Sequence, residues 1–194
     1  MSDILKVTIN LTVICALAGI ILSATWAMTE PVKVAKEAAE REQALKALIP
    51  GTDNIKPVKD VVIAGKEGVI YEASSDGNVV GYIVADTAKG YSSFIKMLVA
   101  VSPDYNVMGI DILGHGETPG LGDQVEAGWF KEQFKGKGMD NLVVVKGETK
   151  TDIQAISGAT ISSRAVTKGV KDAVDALKVY REQAPAPGGA DGGK

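Results

Sequence analysis

Two hydroxyls, Ser157 and Thr160, bracket Gly158 and Ala159 at a point where the chain changes character. Upstream, Thr151-Asp152-Ile153-Gln154-Ala155-Ile156 is polar and then apolar. Downstream, Val166, Val170, Val174 and Leu177 recur at helical spacing. The segment therefore reads as a short turn that opens a helix, with Ile161-Ser162-Ser163 behind it. Such a turn aims backbone N–H groups and the positive end of the helix dipole at one place, and a phosphate suits that place. A Ser or Thr before an apolar helix also serves as an ordinary N-cap, and spacing alone does not separate the two roles.

A second candidate is Gly114-His115-Gly116-Glu117-Thr118-Pro119-Gly120-Leu121-Gly122-Asp123. Its glycines let backbone approach a ligand closely, and Pro119 stiffens the loop. Glu117 and Thr118 supply polar edge contacts, while Leu121 could cover a flat ring. A plain glycine-rich connection has the same composition. His115 is the only histidine and Cys15 the only cysteine, which argues against a metal site and rules out a disulfide framework within the chain. Neither a nucleophile elbow nor a Walker loop is present, so no hydrolase or transferase constellation is visible. The net charge of −3 gives no basic excess for nucleic acid.

The elements that must position these segments follow from patterning. Val7 to Thr29 carries no charge, and Leu11, Val13, Ile14, Leu17, Ile20, Ile21 and Leu22 dominate it. That length suits a membrane-spanning helix, with Trp26 as an interface anchor. A signal peptide has a shorter apolar region and a better cleavage site than Ala-Thr-Trp-Ala-Met. Lys6 on one side and Lys33 and Lys36 on the other leave the orientation undecided by charge. Residues 1–29 are thus expected to be a membrane anchor and 30–50 a solvated helical stalk, with Pro31 in its first turn and Ile49-Pro50-Gly51 at its end.

Residues 58–113 read as strands: Val61–Ile63, Val69–Tyr71, Val79–Val84, Ile95–Val101 and Val107–Leu113. Asp76-Gly77-Asn78 and Pro103-Asp104-Tyr105-Asn106 are turn sequences between them, and tight turns favour an antiparallel sheet. A helix from Asp123 to Phe134, a strand at Leu142–Val145 and a helix from Thr160 to about Tyr180 complete the pattern. The fold class is α+β, with a domain at 51–180 and a disordered tail at 181–194 rich in Ala, Pro and Gly.

Ser-Gly-Ala-Thr resembles the attachment motif of covalent FMN-binding proteins, Asp-x-x-Ser/Thr-Gly-Ala-Thr, with Gln154 at the position of the motif's Asp and Asp152 two residues before it. Glu117-Thr118-Pro119-Gly120-Leu121-Gly122 is similar to the hallmark loop of the RnfG family and of its relative, the NqrC component of the Na+-translocating NADH:quinone reductase. Gly90-Tyr91-Ser92 resembles a third segment of that family, Gly-Tyr-Ser-Gly, with Ser93 where Gly is common. The three segments stand in the family's order behind one N-terminal span, and the chain's length of 194 residues suits RnfG better than NqrC.

The resemblance implies an electron-carrier subunit of an ion-translocating ferredoxin:NAD oxidoreductase. It implies FMN held covalently by a phosphoester on Thr160, with Ser157, Gly158, Ala159, Glu117, Thr118 and Leu121 around the cofactor. It also implies a single-pass protein of the cytoplasmic membrane with its flavin domain on the outer side. The partners would be the other membrane and peripheral subunits of the Rnf complex, membrane lipid, and a flavin transferase during maturation, with no nucleic acid. A tether would keep a carrier that could not easily be replaced outside the cell. The alternatives are a component of the quinone reductase, or a non-redox anchored ligand-binding module in which Ser157–Thr160 only caps a helix.

Overall fold

The structure is a computed structural model and describes residues 2–63 and 65–183. It divides into two compact units, Met1–Arg41 and Glu42–Lys194. The first unit consists of α1 (Ser2–Leu48) up to Arg41. The helix is long and apolar enough to cross a membrane, with a mean hydropathy of 2.2 in its most apolar stretch. The hydroxyls of Thr8, Thr12, Thr25 and Thr29 each bond the carbonyl four residues back, which satisfies them without water. Beyond Thr29 the helix carries paired charges, Lys33–Glu37 and Lys36–Glu40.

Pro31 does not begin a separate helix as the sequence suggested. It lies inside α1, which continues without a break. Proline removes one N–H donor and crowds the preceding turn. Ending the helix there would instead require a second, unfavourable nucleation a few residues later.

The second unit is built on a five-stranded antiparallel sheet whose strands lie in chain order. They are β1 (Asn54–Ile63), β2 (Lys66–Ser75), β3 (Asn78–Lys89), β4 (Phe94–Val101) and β5 (Val107–Gly114). Between β2 and β3 the chain turns on Asp76 and Gly77, both left-handed at φ 50° and 79°, which matches the twist of a hairpin.

Alternation then sorts the side chains. Ile95, Met97, Val99 and Val101 of β4 join one core, and Leu98 and Ala100 join the other. The first face is covered by α3 (Thr160–Gln183) through Val166, Val170, Val174 and Leu177. The helix comes close because residue 169 is glycine: a Cβ there would lie 2.9 Å from Met97 Cε. The second face is covered by the end of α1, through Ala44, Leu45 and Leu48, and by Ile49 just after it. The sheet is thus buried on both sides, which is why β3 and β4 read as nearly unbroken apolar runs.

Two expected elements are shorter than their patterns implied. The helix expected from Asp123 to Phe134 is a 3-10 turn at Gly122–Glu126 followed by α2 (Gly128–Glu132). Ala127 separates them in an extended conformation, φ −63° and ψ 136°. Leu142–Val145 contributes only β6 (Val144–Val145), which pairs in parallel with β7 (Ile153–Gln154). At the carboxyl end α3 continues to Gln183, so the first residues expected in the tail are helical, and 184–194 lie outside the described residues.

Candidate functional site

The start of α3 is shaped by a β-turn over Ile156-Ser157-Gly158-Ala159, in which the Ala159 N–H donates to the Ile156 carbonyl at 3.0 Å. Gly158 sits third with φ +77°, a conformation that strains any residue with a Cβ. A Cβ at Gly158 would also lie 3.0 Å from Leu121 Cδ2, so this glycine makes room for the other candidate loop. Thr160 is the first residue of α3 and half-buried, while Ser157 is exposed.

Neither hydroxyl acts as the cap that spacing allowed. Ser157 Oγ and Thr160 Oγ1 have no partner among the described residues, and the N–H groups of Thr160, Ile161 and Ser162 have no acceptor there. A helix N-terminus with free N–H groups, a free hydroxyl beside it and a positive dipole end is chemically suited to a phosphate ester.

Glu117 is 5 % exposed and faces inward. Its carboxylate accepts the backbone N–H groups of Tyr91, Ser92 and Ser93, each at 3.0 Å, and the hydroxyl of Ser162. Burial opposes its charge. The Ser162 hydroxyl and the three backbone donors outweigh that penalty and hold the carboxyl below the usual range. One side chain therefore joins the loop after β3, the loop after β5 and the first turn of α3. Two glycines are required by its position: a Cβ at Gly90 would meet Glu117 Oε1 at 2.5 Å, and one at Gly122 would meet Glu117 Cβ at 2.8 Å. With its oxygens committed in this way, Glu117 fixes the loops rather than offering an edge contact to a ligand.

The rest of the loop is braced locally. His115 Nδ1 accepts the Glu117 N–H at 3.1 Å, and Nε2 lies 3.1 Å from Glu126 Oε1. The Thr118 carbonyl receives the N–H groups of Leu121, Gly122 and Asp123, and Asp123 Oδ2 accepts from Gly120 N–H at 2.9 Å. These bonds close 118–123 into a rigid knuckle. It leaves Thr118 exposed, with Oγ1 3.5 Å from Ser92 Oγ, and Leu121 44 % exposed over Gly158. Among the described residues no cluster of His, Cys, Asp and Glu could hold a metal ion.

Ser157, Gly158, Thr160, Thr118 and Leu121 thus gather at one end of the sheet, joined through Glu117 and the Leu121–Gly158 approach, while Ala159 is buried in the turn. Gln154 lies in β7, six residues before Thr160. Its backbone is held by the Gln133 side chain, whose Oε1 accepts the Gln154 N–H at 2.7 Å. Sequence reasoning missed Ser162, Ser163 and the 91–93 backbone donors as parts of this end. A signal did exist for the serines: both lie on the buried side of a helix whose next inward residues are Ala165 and Val166, and a buried hydroxyl needs a partner.

Residues 90–175 match the FMN-binding domain family. The chain is 39% identical over 180 residues, 92% of its length and 94% of the other's, to the G subunit of the proton-translocating ferredoxin:NAD(+) oxidoreductase complex of Clostridium ljungdahlii. It is 34% identical, covering 89% and 94%, to the G subunit of the ion-translocating oxidoreductase complex of Methanosarcina acetivorans. Among solved structures it resembles NqrC of Shewanella oneidensis, with TM-score 0.51, 28% identity and 70% of each chain covered. It also resembles the C subunit of the Na(+)-translocating NADH-quinone reductase of Parabacteroides distasonis, with TM-score 0.51, 26% identity, and 68% and 77% covered.

Proposed function

The chain belongs to the family of G subunits of ion-translocating oxidoreductase complexes, with the FMN-binding domain of that family, and we propose that it carries its flavin as a phosphoester on Thr160. It is an electron-carrier subunit of such a complex. The observation that carries the covalent reading is the unpartnered Thr160 hydroxyl beside the open N–H groups of α3. Thr160 supplies the ester oxygen, and the first turn of α3 receives the remaining phosphate oxygens. Leu121 and Thr118 form the wall against which a ring is held, and Glu117 fixes that wall to the helix. When bound, FMN supplies the one- and two-electron chemistry, and the protein positions it.

The α1 span supports a single-pass subunit, and the family resemblance is what favours a flavin domain on the outer side of the cytoplasmic membrane. Its partners are the other membrane and peripheral subunits, lipid around α1, and a flavin transferase during maturation. The chain works as part of the translocating complex and has no turnover alone. Coupling ferredoxin to NAD is favoured by the relatives that share 37–39% identity with it. A place in a quinone reductase rests on the 26–28% likeness to the NqrC structures and is the second reading.

The test is intact mass. The full chain, purified from cells that also express a flavin transferase and then acid-precipitated, should carry one FMN-sized addition. A chain of unmodified mass from those cells would end the covalent reading.

A further inference from the structure

Ser163 is fully buried on the inner side of the first turn of α3, and its hydroxyl serves the turn before the helix. It accepts the Ile156 N–H at 3.0 Å and donates to the Ala159 carbonyl at 3.0 Å. Those are the first and last residues of the β-turn. The helix itself does not require the hydroxyl, because the Ala159 carbonyl already receives the Ser163 N–H at 3.0 Å. The buried Ile156 N–H, by contrast, has no other acceptor among the described residues. One side chain therefore pins both ends of the turn, and the next residue is Thr160. Its neighbour Ser162 instead reaches Glu117. The two serines divide the work: Ser162 holds the helix to the loop, and Ser163 sets the turn.

We propose that Ser163 is a positioning residue for flavin attachment, holding the Ile156–Ala159 turn in the conformation that presents Thr160 Oγ1 to the flavin donor. This rests on the assignment of Thr160 as the attachment site. In the transfer, an Oγ1–phosphorus bond forms and the phosphoanhydride bond of a flavin dinucleotide breaks. Nucleoside monophosphate leaves, the hydroxyl proton passes to a base of the transferase, and no electrons are exchanged. Displacement at phosphorus needs the incoming oxygen at about 3–3.5 Å and in line, so a turn that wanders reduces the productive fraction of encounters. A purely structural Ser163 would lower thermal stability and leave attachment no slower than in any equally destabilised chain.

The experiment uses the full chain in detergent, a purified flavin transferase at limiting concentration and flavin adenine dinucleotide. Intact mass is followed against time, and deuterium uptake is measured over 155–160. Ser163→Ala should slow attachment about tenfold or more and raise uptake in that segment, the scale expected when one buried amide loses its partner. Arg181→Ala, at the far end of the same helix, serves as a variant of reduced melting temperature that should attach at the wild-type rate. Ser163→Cys keeps the volume and a weak donor, should attach at an intermediate rate, and serves alone if Ser163→Ala does not fold. Attachment of a folded Ser163→Ala or Ser163→Cys chain at the rate of Arg181→Ala overturns the proposal. Thr160→Ala is the separate control: an FMN addition on that chain would overturn the attachment site itself, whatever Ser163 does.

Discussion

The two ends of α3 meet the sheet in opposite ways. At the carboxyl end, Arg181 lies over the rings of Tyr82 and Tyr105 at 5.8 and 5.3 Å and donates to the Pro103 carbonyl. Tyr82 and Tyr180 meet edge to face, and Lys178 stands over Tyr105. Its contacts are aromatic and cationic, of a kind that stabilises. At the amino end there is a buried carboxylate, two buried serines, a left-handed glycine and a hydroxyl with no partner among the described residues. Buried polar groups are expensive unless each is satisfied. Here almost all are satisfied by one another, and what remains open is the set that faces the solvent beside Thr160. On the proposed reading, one end of the helix fastens it and the other arranges it for the flavin. Substitutions at the two ends should therefore separate stability from flavin loading.

The largest separation comes from Thr160→Ala. It should remove the flavin addition completely, as read by intact mass. The hydroxyl makes no bond among the described residues, and alanine favours a helix, so stability should change by no more than about 0.5 kcal/mol. A large fall in melting temperature would mean that the hydroxyl has a structural role the geometry does not give it.

Glu117→Ala comes next and tests whether the arranging end also carries stability. It leaves three backbone N–H groups and a buried serine without their acceptor, which should cost about 2–4 kcal/mol in chemical denaturation. The pH dependence has a definite sign. The folded carboxyl is more acidic than the ordinary value near 4.5, so the unfolded chain takes up the proton first. The stabilisation is complete above that ordinary value and is lost as pH falls through the lower, folded one. Glu117→Gln should flatten that part of the acid unfolding curve. An unchanged curve would assign the acid sensitivity to other carboxylates.

Gly158→Ala should cost about 1–2 kcal/mol, from the left-handed backbone and the encroachment on Leu121. It should also reduce flavin loading, because it strains the turn before Thr160. Arg181→Ala should cost about 1–2 kcal/mol through the lost carbonyl bond and ring contacts, with loading unchanged. If Arg181→Ala reduced loading as much as Gly158→Ala at equal loss of stability, the distinction between the two ends would collapse.

Much of this arrangement was legible in the chain, and what was not has a physical cause. β-rich runs between turn sequences marked the five long strands, and helical spacing marked α3, because its one buried face writes the period. The span was visible from the absence of charge. The turn at Ser157–Ala159 and the loop at 114–123 were visible through their glycines. The role of Glu117 was not, because its partners lie 24 to 26 residues before it and 45 after it, and no local pattern marks such pairings. The break at Ala127 and the two-residue β6 escaped for the opposite reason. Trp129, Phe130 and Leu142 are apolar enough in number for longer elements, but Ala127 is extended before α2 and only Val144 and Val145 pair with β7.

The smallest effect, and the sharpest on the arranging end, is expected from Leu121. It is 44 % exposed, so Leu121→Ala should alter stability by less than about 0.5 kcal/mol. If attachment depends on Thr160 and its turn, as proposed, loading should remain complete. The ring is another matter, because a phosphoester fixes only one end of the flavin and leaves several rotatable bonds. The apolar side chain that approaches Gly158, beside the exposed Thr118 hydroxyl, is a surface that could limit the ring's swing and exclude water from one face. Removing it should shift the flavin absorption maximum and its reduction potential and slow electron transfer, measured on fully loaded protein. Thr118→Val, which keeps the shape and removes the hydroxyl, should move the same observables less. If both variants are fully loaded and their spectrum and potential match the wild type, the loop serves the fold alone, and the ring rests elsewhere.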